Sequence, residues 1–308
     1  MHITFSKTLR RFACIVALFA SAGSLLAQDP NFKVDVRLVR LLVTVKNAGG
    51  DLVGSLDRSL FTVTDNGVAQ EIAVFERQTA QPLSVTLLVD ISGSTAKDLR
   101  YEITSINKFL KAFVGEGNPA DAVALYSFND QITLLNNFTR QIARIDENFR
   151  NMRPDGGTSL YDAVYLAAPS LRDRQGRHVM VVVTDGGDTT SMKKYRDAVE
   201  AAQRADAVVY AVVVVPIPNP AGRNIGGEHA LEAITDATGG RMFYPAIGAE
   251  LDRAFADILR DLRTQYLIGY YPRGVPQGDR AFHTVHVGLA RRDLHVSTRT
   301  GYYGDSSR

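Results

Sequence analysis

The stretch Leu83-Ser84-Val85-Thr86-Leu87-Leu88-Val89-Asp90-Ile91-Ser92-Gly93-Ser94 decides how the rest of the chain is read. Leu83 to Asp90 is an apolar run of the kind found in strands buried on both faces, and it ends on a carboxylate. Residues 98–113 follow with Leu99, Ile103, Ile106, Leu110 and Phe113 at helical spacing. Asp90-Ile91-Ser92-Gly93-Ser94 therefore lies where a buried strand gives way to a helix. In open α/β sheets, ligands bind outside the carboxyl ends of strands. Asp90 supplies charge. Ser92 and Ser94 stand two residues apart, so both hydroxyls turn to one side of an extended loop, and Gly93 lets that loop bend tightly.

Two loops further along have the same makeup. Asp155-Gly156-Gly157-Thr158-Ser159 precedes a helical pattern at 159–171, where Leu160, Val164, Ala168 and Leu171 share a face, and Thr158 offers a third hydroxyl. Thr184-Asp185-Gly186-Gly187-Asp188 follows the apolar run Val179 to Thr184, and Asp185 ends that strand. Asp188 is the alternative carboxylate of this loop and reads better as a turn residue. Hydroxyls and carboxylates are the donors a magnesium ion prefers, in near-octahedral geometry with water retained. Asp, Ser and Thr at strand-to-helix turns also serve simply as helix N-caps. Three correctly ordered loops argue against that as their whole role.

Asp90, Ser92, Ser94, Thr158 and Asp185, with the segments Gly-Gly-Thr-Ser-Leu-Tyr-Asp-Ala and Val-Val-Val-Thr-Asp-Gly around them, resemble the von Willebrand factor type A family over about 83–263. The match to that family's metal-ion-dependent adhesion motif is complete. The resemblance implies that Ser92, Ser94 and, with ligand bound, Thr158 hold a divalent metal directly. Magnesium is the expected ion, with manganese or calcium as alternatives. Asp90 and Asp185 would act mainly through water. One coordination position would be left for an acidic side chain of a protein partner. The flanking β segments are similar to those of bacterial secreted proteins related to this family.

The alternation of strand and helix across 83–263 implies an α/β, doubly wound, mostly parallel sheet with helices on both faces. Its strands are expected at 83–90, 122–128, 132–138, 179–184, 208–215 and 241–244, with further helices at 228–238 and 250–263. Residues 32–80 read as all-β. Phe61 to Thr64 and Ile72 to Phe75 flank Asp65-Asn66-Gly67, a hairpin signal. Residues 265–303 return to β character, with strands at 266–271, 284–289 and 294–299. That tail has too few strands to stand well alone, so it is expected to pair with 32–80 in a small sandwich-like β domain. The loop 216–222, rich in proline, closes the last long strand.

Residues 1–27 read as an export signal. Lys7, Arg10 and Arg11 precede the apolar run 12–20, and small residues allow cleavage after Ala22 or Ala27. A retained membrane anchor is the alternative, but the run is short for a span of about 20 residues. The only cysteine, Cys14, lies in this segment, so the mature chain has no disulfide. Losing those three basic residues takes the net charge from +2 to −1. The protein is expected to be secreted or periplasmic, with no membrane span after cleavage. The paired basic residues are Arg10-Arg11, Lys193-Lys194 and Arg291-Arg292, with no longer basic run, which argues against nucleic acid as a partner.

No catalytic constellation accompanies the site. A nucleophile elbow needs Gly-x-Ser-x-Gly, and Asp90 and Ser94 replace the two glycines around Ser92. His283 and His286, three apart in a strand, point to opposite faces and are expected at the surface rather than on zinc. Asn137-Phe138-Thr139 matches a glycosylation acceptor inside a strand, where chance is the better account. Two functions remain. One is a non-catalytic adhesion module that binds a protein or surface ligand through the metal. The other is a scaffold or assembly subunit of a cell-envelope complex, in which the metal site is structural or weak.

Overall fold

The strands richest in apolar residues form the centre of the α/β sheet. The structure, a computed structural model, describes residues 38–77, 80–214, 225–276 and 281–304. The expected export signal, the start of the all-β segment and the loop 216–222 lie outside these residues. β5 (Leu83–Asp90), β6 (Ala122–Phe128), β8 (Arg177–Thr184) and β9 (Ala207–Val213) are buried at every position. With β7 (Ile132–Thr139) and β10 (Arg241–Phe243) they form a six-stranded sheet in the order β10-β9-β8-β5-β6-β7. All neighbours are parallel except β7, which runs antiparallel to β6 at the edge.

Helices cover both faces. On one side α1 (Leu99–Glu116), α2 (Ile142–Asn151) and α7 (Ala249–Thr264) pack Ile106, Phe109, Phe149, Phe255 and Ile258 against Val85, Leu87, Val181 and Tyr210. On the other, α3 (Leu160–Ala167), α5 (Tyr195–Arg204) and α6 (Ile225–Thr238) pack Val164, Ala198, Ala202, Leu231 and Ile234 against Leu88, Met180 and Val182. The helix expected over 159–171 is broken at Ala168. Pro169, which lacks the N–H a continuing helix needs, opens the short α4 (Pro169–Arg172).

The flanks pair with one another in two four-stranded antiparallel sheets. β1 (Val39–Asn47) lies beside β11 (Tyr266–Tyr270), with Val39 opposite Tyr270 and Val43 opposite Tyr266. β13 (Leu294–Ser297) and β4 (Ile72–Glu76) complete that sheet. The second sheet is β14-β12-β2-β3, built from β2 (Phe61–Asp65), β3 (Val68–Gln70), β12 (Phe282–Leu289) and β14 (Gly301–Tyr303). Leu41, Val43, Phe61, Val63, Tyr266, Ile268, Val285 and Val287 make one core between them.

The hairpin differs from the sequence expectation. Asn66 (φ 47°) and Gly67 (φ 80°) form its two-residue turn, as a type I′ geometry requires. Its second strand is β3, with Asp65 opposite Val68. Ile72–Glu76 instead crosses to the other sheet and pairs with β11. The two β sheets and the α/β layers belong to one compact unit. Asp261 of α7 bonds Lys46 of β1 and pairs with Arg241 of β10, each at 3.3 Å.

Candidate functional site

The five residues singled out in the sequence lie at the carboxyl ends of β5 and β8 and in the loop before α3, on one rim of the sheet. Asp90 is fully buried. Its Oδ1 accepts the Ser92 N–H (2.8 Å), and its Oδ2 accepts the Thr184 hydroxyl from the end of β8 (2.6 Å). Ser92 is also buried, and its Oγ lies 3.1 Å from the Oγ of the exposed Ser94. A 3-10 turn (Gly93–Lys97) begins after Ser92, yet the Ser92 side chain makes no capping bond. Its hydroxyl is therefore directed to Ser94 and not used up as an N-cap.

The loops are stitched to each other by backbone. The Gly93 N–H donates to the Gly156 carbonyl (3.1 Å), and the Asp155 N–H donates to the Ile91 carbonyl (2.9 Å), joining the first loop to the second. Thr158, nearly buried, accepts the Thr189 N–H on its carbonyl (2.8 Å) and donates its own N–H to the Thr189 hydroxyl (2.8 Å), joining the second to the third. The β6–β7 loop adds Asn129, whose carbonyl accepts the Ser159 N–H. Gly156 has φ +73° and sits so close to Asp130 that a Cβ would meet its Oδ1 at 2.6 Å. Only glycine gives this loop both the left-handed backbone and the approach.

Asp185 is partly exposed, and its charge acts on Asp90. Asp188 is a turn residue with a definite task. Its Oδ1 accepts the Tyr161 N–H (3.3 Å) in the first turn of α3. Asp162 reciprocates by accepting the Met192 and Lys193 N–H groups of the third loop at 3.0 and 2.8 Å.

One residue near this rim went unnoticed in the sequence. Glu102, in the first turn of α1, is fully buried, and neither carboxylate oxygen has a hydrogen-bond partner among the described residues. Burial, then the charges of Asp90, Asp185 and Asp98, push its pKa up to about 8. Burial likewise pushes Asp90 up to about 6, against the pull of its bonds to Thr184 and Ser92, with Asp185 adding to the rise. The signal for Glu102 was its place three residues after Leu99 and four before Ile106, on the stripe of α1 that faces the core.

His283 corrects a sequence expectation. It lies on the inner face of β12, buried, with Nδ1 2.9 Å from Asp65 Oδ1 and its ring stacked on Tyr302. His286 is exposed on the opposite face.

A doubly wound sheet that gathers a buried aspartate, paired serines, a threonine and a second aspartate on one rim defines the class of open α/β domains with polar loops at the carboxyl ends of their strands. The family model for the von Willebrand factor type A domain matches residues 84–255, and the chain belongs to that family. Several solved structures are similar in fold. The PilB minor pilin from Streptococcus sanguinis shares 15% identity at a TM-score of 0.48, over 61% of this chain and 63% of that one. This chain thus spans less than two thirds of that pilin. The vWF domain of the type V pili tip protein Mfa5 from Porphyromonas gingivalis shares 14% identity at a TM-score of 0.49, over 64% of this chain and 99% of that one. BatB, a conserved hypothetical protein from Bacteroides thetaiotaomicron, shares 20% identity at 0.47, over 58% of this chain and 98% of that one. No curated protein matches the chain. Among the described residues no helix is long and apolar enough to cross a membrane.

Proposed function

We propose that this is an exported binding module that holds a divalent cation at the rim and uses it to capture an acidic side chain of a protein partner. Magnesium is the ion we assign, with manganese or calcium as substitutes. Ser92, Ser94 and Thr158 would bind it directly, and Asp90 and Asp185 through water. The observation that carries this reading is the pair of Ser92 and Ser94 hydroxyls, 3.1 Å apart beside the buried Asp90, in a loop bonded by backbone to the loop that carries Thr158. The donor set fits the ion. All donors are oxygens, which suits a hard cation. A cation held with few direct carboxylates stays electrophilic and supplies an attachment point for an outside one. The residues themselves do the rest: Asp90 orients Ser92, Thr184 orients Asp90, and the Thr158–Thr189 bonds hold the second loop against the third. We place the working protein outside the cytoplasm, on the export signal expected at residues 1–27, and assign it no catalytic role.

The test is thermal unfolding of the mature protein titrated with magnesium chloride, beside Asp90→Ala. A rise in Tm that saturates in the parent and is lost in the variant is expected, because binding to the folded state alone stabilises it. An unchanged Tm in the parent overturns the metal reading. A pull-down from envelope extracts with a Ser92→Ala, Ser94→Ala double variant then separates the two functions. Partners lost in the double variant support capture through the cation, and partners retained support a scaffold.

A further inference from the structure

Glu102 is the residue that the stitched loops leave unexplained. It occupies a core-facing position of α1, in line with Leu99, Ile106, Phe109 and Phe113, where the helix otherwise presents apolar side chains and Ser105. A carboxyl there is costly unless something completes it. Both of its oxygens are buried without a hydrogen-bond partner among the described residues. The charges that act on it, Asp90, Asp185 and Asp98, are all negative. Two of those three belong to the rim site. The group that would settle a buried carboxyl among carboxylates is a cation, reached directly or through its water.

We propose that Glu102 is a sixth residue of the rim site, a buried carboxylate that takes a hydrogen bond from the cation's water shell on the side facing the core. This deepens the function proposed above and rests on it. Groups that orient a metal's ligands from behind are worth about 10–100-fold in metal affinity. Once the cation displaces its proton, Glu102 adds a third formal charge beside Asp90 and Asp185 and anchors the cation more firmly before any partner arrives. Glu102 is in this sense a positioning residue that sets how strongly the site keeps its ion.

The experiment is isothermal titration of the mature protein with magnesium and with manganese alone, with Tm measured in parallel in the presence of a chelator. Glu102→Gln is nearly isosteric, and Glu102→Met serves as a second variant if the amide does not fold. Asp98→Asn is the control for loss of charge at a distance, since Asp98 is a partly exposed carboxylate that also acts on Glu102. The expected result is a loss of about 10-fold or more in cation affinity for the Glu102 variants, a change under about twofold for Asp98→Asn, and a chelated Tm that does not fall. If the parent binds the ions and the Glu102 variants bind them within twofold of it, Glu102 has no part in the site and the assignment is overturned while the cation reading stands. If Asp98→Asn weakens binding as much as Glu102→Gln, only bulk charge is at work and the assignment is likewise overturned. If the parent binds neither ion, both readings fall together.

Discussion

Asp65 in the β sandwich and Glu102 at the rim of the α/β sheet are both fully buried carboxyls, and the chain treats them in opposite ways. Asp65 is completed from within. His283 Nδ1 sits 2.9 Å from its Oδ1, and the hydroxyls of Tyr270 and Tyr302 donate to its Oδ2 at 2.9 and 2.8 Å. Burial first, then the Tyr302 phenol and Asp65 for Tyr270 and Asp65 for Tyr302, hold both phenols above their ordinary range, so they stay protonated donors. Glu102 receives no hydrogen bond from any of the described residues. A buried polar group satisfied by its neighbours rigidifies a core, and one left open carries its desolvation penalty until a ligand relieves it. The sandwich cluster is thus a finished piece of architecture. On the function proposed above, the rim's last partner comes from outside.

The contrast is broken most directly by removing Asp65. Asp65→Ala removes the carboxylate that two buried phenols donate to and that faces the buried His283. Stripping one partner from such a buried network costs about 3–5 kcal/mol, a large part of a typical domain's stability. Urea unfolding of the metal-free protein measures it. A loss under about 1 kcal/mol, within the range of an ordinary surface change, would mean the cluster is not structural.

At the rim the sign reverses. The Glu102 carboxyl stands near 8 in the folded chain against an ordinary value of 4.5. Between those two values the folded state keeps a proton that the unfolded state releases. The stability drawn from this group is therefore whole below about 4.5 and is lost as pH rises to about 8. Glu102→Gln removes that dependence. In chelator, the variant is expected to exceed the parent by roughly 1–3 kcal/mol at pH 8 and to converge on it near pH 4.5. Chemical unfolding at several pH values checks this. Parallel profiles for parent and variant would place the carboxyl outside the desolvated environment described.

Much of this was legible in the sequence where a single physical signal dominated. Val179 to Thr184 announces a doubly covered strand, because an unbroken apolar run has no polar face to expose, and the structure buries every residue of β8. Asp90, Ser92, Ser94, Thr158 and Asp185 were legible as residue types in ordered loops, although the bonds that join those loops are mostly backbone and leave no mark on composition. α5 escaped the apolar pattern because its buried face is Ala198, Ala201, Ala202 and Gln203, small or polar side chains that give little periodic signal. The hairpin's second strand was misplaced because Val68-Ala69-Gln70 is short and only Gln70 is buried. Glu102 and His283 were missed for a shared reason. A charged residue at a core-facing position reads as a surface residue until the partner, or the lack of one, is seen in three dimensions.

The smallest effect tests whether burial, rather than residue type, separates the two regions. His283 and His286 lie three apart on β12, where inner and outer positions alternate, and only His283 reaches Asp65. His286→Ala removes an exposed ring and is expected to change stability by less than about 0.5 kcal/mol. A loss approaching that of Asp65→Ala would show that the outer face of β12 is also covered, and the sandwich would then have to be read, like the rim, as a surface with a partner. A change within the stated range keeps the two regions distinct: the sandwich spends its polar residues on itself, and the rim holds Glu102 and Asp90 for something else.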